Sequence, residues 1–352
     1  MTGIRASRAG GKVRQARLTD LAALGELSRL CQVGDAATRS LGLPVSGPPI
    51  GVFSLFRLPL GAFRPHDLLF VYEVAGRLSG LIRAERESLR EEWTVVELDG
   101  IGSSDAGDIR FRLVQQLVRE SPKRGVGRLH VACADQHGNV ELFMQAGFMR
   151  YGEELVLHRP ADVKLPSPWT EARARDAGIR PAGPLDALAL SRLYAAATPQ
   201  PVQRLELVRL ADWERQGNNW RVPRSSLAPI LRFADVEGFV QESSGGGGDG
   251  TQLDAFAQIG VAKEDQPHYL KVMARPEADV TDLVDFALGG IATRTAGHRH
   301  DQGVLAPVRT YESPIDSRLA AAGFTTIATV TLLMKETLVR VAEPALVPAG
   351  VR

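Results

Sequence analysis

Residues 130–157 read HVACADQHGNVELFMQAGFMRYGEELVL. The apolar start continues the strand pattern of Arg128 to Ala134, a short helix follows, and Ala146-Gly147-Phe148 closes it before a second apolar strand from Glu154 to His158. A glycine at this place ends a helix in a left-handed cap, and the phenylalanine after it buries itself as the chain turns back. The same arrangement returns later, where Ala321-Ala322-Gly323-Phe324 precedes an apolar strand from Thr329 to Met334. Gly147 to Val156 and Gly323 to Leu332 are equal steps, so the chain is read as a tandem repeat.

Working outward, the starts of the two copies agree as well. Arg14, Ala16 and Asp20 match Arg180, Ala182 and Asp186, in each case after a short strand and before a helix; Leu21, Leu24 and Leu27 share one face of the first helix. The copies lie 166 residues apart at the start and 176 at the end, which places about ten extra residues in the second. The Gly-rich stretch between Ser243 and Gln252 is where they are expected, since the first copy turns at Ala75-Gly76-Arg77 instead. A third strand follows in each copy, WTVVELDGIG and HYLKVMARP. Helices over Ile109–Glu120 and Val280–Thr293 come next, and then the apolar strands RLHVACA and GVLAPVR.

The expected architecture is therefore α/β with a mixed sheet: a first module over 12–159, a Pro-rich and charged linker over 160–177, a second module over 178–340 and a tail over 341–352. Composition agrees with a globular chain. The 352 residues are 44% hydrophobic, and 42 Lys and Arg against 41 Asp and Glu leave a net charge of +1. That balance gives no pull toward nucleic acid or an anionic membrane and favours a small molecule or a protein as partner. Cys31 and Cys133 stand without disulfide or zinc-ligand spacing. The basic, Gly-rich start lacks an apolar segment behind it, so a cytoplasmic protein is expected.

This order of elements, with Asn139, Gly147, Phe148 and Glu153 in matching places, resembles the GNAT acyltransferase superfamily, twice over. The resemblance implies a fold whose two central parallel strands splay apart, with the pantetheine arm of acetyl-CoA lying between them and its pyrophosphate on a helix N-terminus. The superfamily's phosphate loop has Arg or Gln, two residues, Gly, one residue, and Gly or Ala. Aligned on Leu113, the first copy offers Asp105, Asp108 and Arg110 at those places, with Gly107 and the donors of Arg110 and Arg112 leaving a shifted site. Aligned on Leu283, the second offers Arg275, Ala278 and Val280, with Glu277 and Asp279 between. Because Arg275 is kept, the second module is the preferred cofactor site.

The chemistry implied is N-acyl transfer from acetyl-CoA to an amine of a small molecule, which needs a base for the amine proton and an acid for the leaving thiolate. The superfamily's acid, a Tyr four residues before the Gly of Gly-Phe, is replaced by Phe143 and Leu319, which leaves Tyr151, Tyr194 and Tyr311 as substitutes, Tyr311 the better placed. Glu97 and Asp99, two apart on the third strand and hence on one face, are the candidate base; a solvated strand face reads the same way. His268 lies in the comparable region of the second copy. Missing glycines and missing tyrosines also suit a second hypothesis, a catalytically silent tandem that binds a ligand or a protein partner.

Three further signals read as structure. Gly245 to Gly248 joins two strands without the Lys and helix of a phosphate loop. His298, His300 and Asp301 lie in a loop with no fourth ligand, so no metal is expected. Trp213 and Trp220, beside Arg215 and Arg221, either stack a substrate or pack a helix on its sheet.

Overall fold

The computed structural model describes residues 11–34, 41, 67–86, 91–101, 106–135, 138–214, 224–243, 252–263, 266–295 and 302–337. The first module runs β1 (Lys12–Gln15), α1 (Leu21–Gly34), β2 (Asp67–Val74), β3 (Arg77–Arg86), β4 (Glu92–Gly100), α2 (Ala106–Glu120), β5 (Arg128–Ala134), α3 (Asn139–Gln145) and β6 (Met149–Arg159). After α4 (Glu171–Asp176) the second runs β7 (Ile179–Pro181), α5 (Ala187–Ala197), α6 (Gln200–Glu206), α7 (Leu210–Trp213), β8 (Phe233–Glu242), β9 (Leu253–Ala262), β10 (His268–Ala274), α8 (Thr281–Thr295), β11 (Val304–Arg309), α9 (Ser313–Ala321) and β12 (Thr325–Glu336).

The matched residues at the two starts form the same ion triad. Arg14 holds both oxygens of Asp20 at 2.6 and 2.9 Å and donates Nε to Glu73, while Arg180 holds Asp186 at 2.8 Å on each oxygen and donates Nε to Glu242. Each aspartate also accepts a backbone N–H, from Arg17 or Gly183, and so caps the first turn of its helix. The arginine hydrogen bond, helped by that N–H, holds both carboxyls below their usual range against partial burial. The Gly-Phe turns are equally alike. Gly147 and Gly323 adopt φ of 84° and 90°, and the phenylalanine N–H reaches back to Phe143 O or Leu319 O at 3.1 Å. The β2–β3 turn is made by Ala75 and Gly76, both at positive φ, whereas the matching hairpin spans 243–252, its ends joined from Ser243 N to Gln252 O at 2.9 Å.

The twelve strands of the described residues form one sheet in the order β1-β2-β3-β4-β5-β12-β6-β11-β10-β9-β8-β7. The order is palindromic about β12 and β6, and these two final strands have changed places. β12 pairs with β5 of the first module from Val330–Ala134 to Glu336–Arg128, and β6 pairs with β11 of the second from Val304–Arg159 to Arg309–Glu154. Leu333 accordingly packs in the core between the first half-sheet and α2, and Leu157 packs in the core between the second half-sheet and α8. The boundary between modules is thus a boundary in sequence and not in the sheet. The linker 160–177 is built into the second core: α4 buries Ala174, and Trp169 meets Phe286 edge-on under the guanidinium of Arg173.

Helices cover both faces. α2 and α3 lie on one face of the first half-sheet and α1 on the other, while α8, α9 and α4 match α5 and α7 in the second. Across the middle, Leu227, Ile230 and Leu231 of the segment before β8 pack on Val96, Val156, Tyr269, Leu305 and Val330, so the second module lies over the root of both central gaps.

Candidate functional site

Two gaps open in the sheet, one in each module. β4 and β5 run parallel only from Glu92–Arg128 to Val95–Val131, then part; β10 and β11 pair only at His268–Val304 and Tyr269–Leu305. The strands therefore separate before Ile101 and Ala274.

In the first gap β4 carries a bulge between Val95 and Glu97, where its register against β3 shifts. The extra residue changes the phase of the strand. Trp93, Val95 and Leu98 face the core under α2, which turns Glu97 and Asp99 together to the opposite side. Asp99 is 3% exposed and hydrogen-bonded to Glu97. Burial, then the charge of Glu97, pushes its carboxyl up to about 8, with Arg110 opposing. Arg110, on the first turns of α2, is itself buried and donates Nη1 to Asn139 Oδ1 at 2.6 Å, tying α2 to α3 across the gap. Arg83 Nε lies 3.8 Å from Glu97 Oε2. At the start of α2, Gly107 has open space where a side chain would stand, and Asp108 is paired with Arg112 at 2.9 Å. Asp105 falls outside the described residues.

The second gap is filled. β10 has no bulge against β9, and the core residues Leu98 and Val272 occupy matching places, so Lys271 stands at the place of Glu97 and Met273 at that of Asp99. Lys271 is buried, with Nζ 2.8 Å from Glu312 Oε2 and 3.2 Å from the carbonyl of Pro307 on β11. A proline in a central strand lacks an N–H for the ladder, which costs nothing here because β10 has already parted from it. Glu312 also accepts the N–H of Arg309 at 2.8 Å.

The residues expected at the second phosphate loop are used otherwise. Arg275 donates Nε to Leu253 O at 3.0 Å, Val280 is buried in the core with Leu283, and the Asp279 carboxylate accepts Thr281 N at 3.0 Å and Thr281 Oγ1 at 2.7 Å. Those bonds hold the Asp279 carboxyl below its usual range. The start of α8 thus has its own anion, with only Ala278 half-buried between.

Of the candidate acids, Tyr311 is half-buried with a side-chain hydrogen bond to Thr198, and its burial, beside Glu312 and Glu206, raises it, with Arg309 opposing. Tyr194 donates to Glu206 Oε2 at 2.7 Å. Tyr151 is pushed up to about 12 by burial and Glu206, with Arg309 opposing. Arg309 lies between these rings, bonded to Glu206 at 2.8 Å and Glu154 at 3.1 Å. Tyr311 and the pair Glu97 and Asp99 therefore belong to different gaps. Phe143 and Leu319 are buried, the former edge-on to Phe148 at 5.2 Å. His268 is buried and its Nδ1 accepts Ala262 N at 3.0 Å, a use within the sheet.

Trp213 packs between Tyr194 and Phe256. Trp220, Arg215, Arg221, Gly245–Gly248, His298, His300 and Asp301 lie outside the described residues. Among the described residues no group of three His, Cys, Asp or Glu is placed for a metal, and no helix is long and apolar enough to cross a membrane. The sequence reading missed Lys271, Glu312 and Arg83. A lysine inside an otherwise apolar strand, HYLKVMA, was the available signal for the first.

No protein-family model matches the chain, and no curated protein does. Solved structures do. A tandem GNAT protein from the clavulanic acid biosynthesis pathway superposes with a TM-score of 0.57 at 14% identity, over 93% of this chain and 98% of that one. A GCN5-related N-acetyltransferase from Sphaerobacter thermophilus gives 0.51 at 14% identity, over 94% and 98%. The glucosamine N-acetyltransferase region of a fungal multi-domain β-N-acetylglucosaminidase gives 0.52 at 12% identity, over 94% of this chain and 38% of that one. With the sheet order and the two parted strand pairs, these likenesses assign the chain the tandem GNAT fold.

Proposed function

We propose that the protein is an N-acetyltransferase that moves an acetyl group from acetyl-CoA to an amine of a small molecule, with chemistry in the first gap and a silent second module. The observation that carries this reading is the carboxylate pair of Glu97 and Asp99, turned by the Val96 bulge away from the core where β4 leaves β5. This reverses the preference that Arg275 gave to the second module. There the gap is occupied by Lys271 and Glu312, and Asp279 accepts the N–H of Thr281 at the start of α8.

The first gap fits the co-substrate in two respects. The β4–β5 ladder among the described residues ends at Val95–Val131, which suits the amides of a pantetheine arm lying alongside the rest of β4. The start of α2 offers backbone N–H groups beside Gly107, where no side chain blocks approach. Acetyl-CoA supplies the activated thioester. Glu97 and Asp99 handle the amine proton: below about pH 8 the pair already holds a proton on Asp99, and above it the pair can accept one from the incoming amine. Arg110, fixed by Asn139, steadies the ionised form of the pair that takes up that proton.

The test is thiol release from acetyl-CoA across a panel of small primary amines. Release should depend on the amine and fall about a hundredfold or more in Asp99→Asn. Absence of release with every amine, together with no rise in melting temperature at saturating acetyl-CoA, would sink the proposal.

A further inference from the structure

The charges around Asp99 continue out of the first module. Arg232, from the second module, donates Nη2 to Glu85 Oε1 at 2.9 Å; the same oxygen lies 3.5 Å from Arg83 Nη2, and Arg83 Nε lies 3.8 Å from Glu97 Oε2. Glu97 is bonded to Asp99. Signs alternate along this line, and Glu85 and Arg83 are buried in its middle, where water screens them least. Arg232 is fixed by its own backbone: its carbonyl accepts Lys263 N at 3.0 Å and the Gln266 amide, and its neighbours Ile230 and Leu231 pack on Val96. Among the described residues, the other groups around Asp99 are Arg110 on α2, Asn139 bonded to it from α3, and the apolar Leu24 and Leu27 of α1 behind Leu81, its partner on β3.

We propose that the second module regulates the first module's carboxylate pair electrostatically, with Arg232 as a positioning residue acting through Glu85 and Arg83. The inference rests on the reading of Glu97 and Asp99 as the working base, and it gives the silent module a task at that site. Without Arg232, Glu85 draws Arg83 away from Glu97, and Glu97 then meets Asp99 with more of its charge. Without the charge of Glu85, Arg83 turns to Glu97. The two changes move the proton affinity of Asp99 in opposite directions.

The experiment is a carboxyl-carbon NMR titration of Asp99 in the full chain, with the resonance assigned by its loss in Asp99→Asn. Arg232→Gln should raise the midpoint by about half a pH unit, as one charge does across roughly ten ångströms of partly polar protein. Glu85→Gln should lower it by a similar amount, and Arg232→Lys should restore the wild-type value. Arg224→Gln breaks another ion pair between the modules, to Glu92 at 2.6 Å, far along β4 from Asp99, and should leave the midpoint alone. An unmoved midpoint in both Arg232→Gln and Glu85→Gln, shifts of the same sign in those two, or an equal shift in Arg224→Gln would overturn the inference. The readout does not depend on turnover. The expected shifts without acetyl-CoA binding would remove the transferase reading alone, and turnover with an unmoved midpoint would remove the regulation alone.

Discussion

At matched places in the sheet the first gap carries Glu97 and Asp99, and the second carries Lys271 and Met273. Both gaps arise where a parallel strand pair parts, both have a helix starting beside them, and both modules keep the same ion triad and the same Gly-Phe turn. The difference lies in one inserted residue and one buried ion pair. The bulge at Val96 turns the two carboxylates of β4 to the face away from the α2 core, whereas the unbroken β10 points Lys271 at Pro307 and Glu312. A fold can thus be kept by its caps and cores while the gap that would hold a ligand is opened in one copy and closed in the other.

The largest effect should come from breaking the closed gap. Glu312→Gln leaves a buried lysine without its carboxylate and should cost about 3–5 kcal/mol in urea unfolding, while Glu312→Gln with Lys271→Met should recover most of that loss. A loss below about 1 kcal/mol in the single variant would show that the pair does not close the gap.

The next effect sharpens the open gap. The Asp99 carboxyl is raised from its ordinary value to about 8 in the folded protein, so folding favours its protonated form. Between about pH 4 and pH 8 the unfolded chain has released this proton and the folded chain has not, so the contribution of Asp99 to stability declines as pH rises through that window. Unfolding of Asp99→Asn followed across this range should lose that decline, and the variant should gain on the wild type as pH increases. A constant difference between the two would contradict the buried, protonated carboxyl.

The smallest effect concerns what the modules share. Arg14→Ala and Arg180→Ala remove the same triad from each copy, and each should cost on the order of 1 kcal/mol in chemical denaturation, since the pairs are partly exposed. A marked inequality would break the equivalence of the two starts.

The repeat was legible because its signals are local. Arg14 and Asp20 reach each other across only six positions, and Gly147 with Phe148 makes a cap from adjacent residues, so fixed spacing carries them into the sequence. The strand exchange was not legible, because β6 and β12 each follow a Gly-Phe turn and nothing in a strand's own residues names the sheet it will join. Of the candidate site, the shared face of Glu97 and Asp99 is legible from their period of two, but the bulge that chooses that face, the arginine that holds Asn139 and the lysine in the second gap are meetings through space. Arg275 shows the limit most plainly: alignment gives it a place in a motif, and its side chain goes to Leu253.

Calorimetric titration with acetyl-CoA, on the wild type and on Gly107→Asp and Ala278→Asp, tests the central claim most directly. Each substitution places a carboxylate at the start of one helix, and the open space at Gly107 lets the first fold without strain. One molecule should bind per chain, at least tenfold more weakly in Gly107→Asp and unchanged in Ala278→Asp. Two molecules per chain, none, or a loss confined to Ala278→Asp would contradict an open first gap and a closed second one.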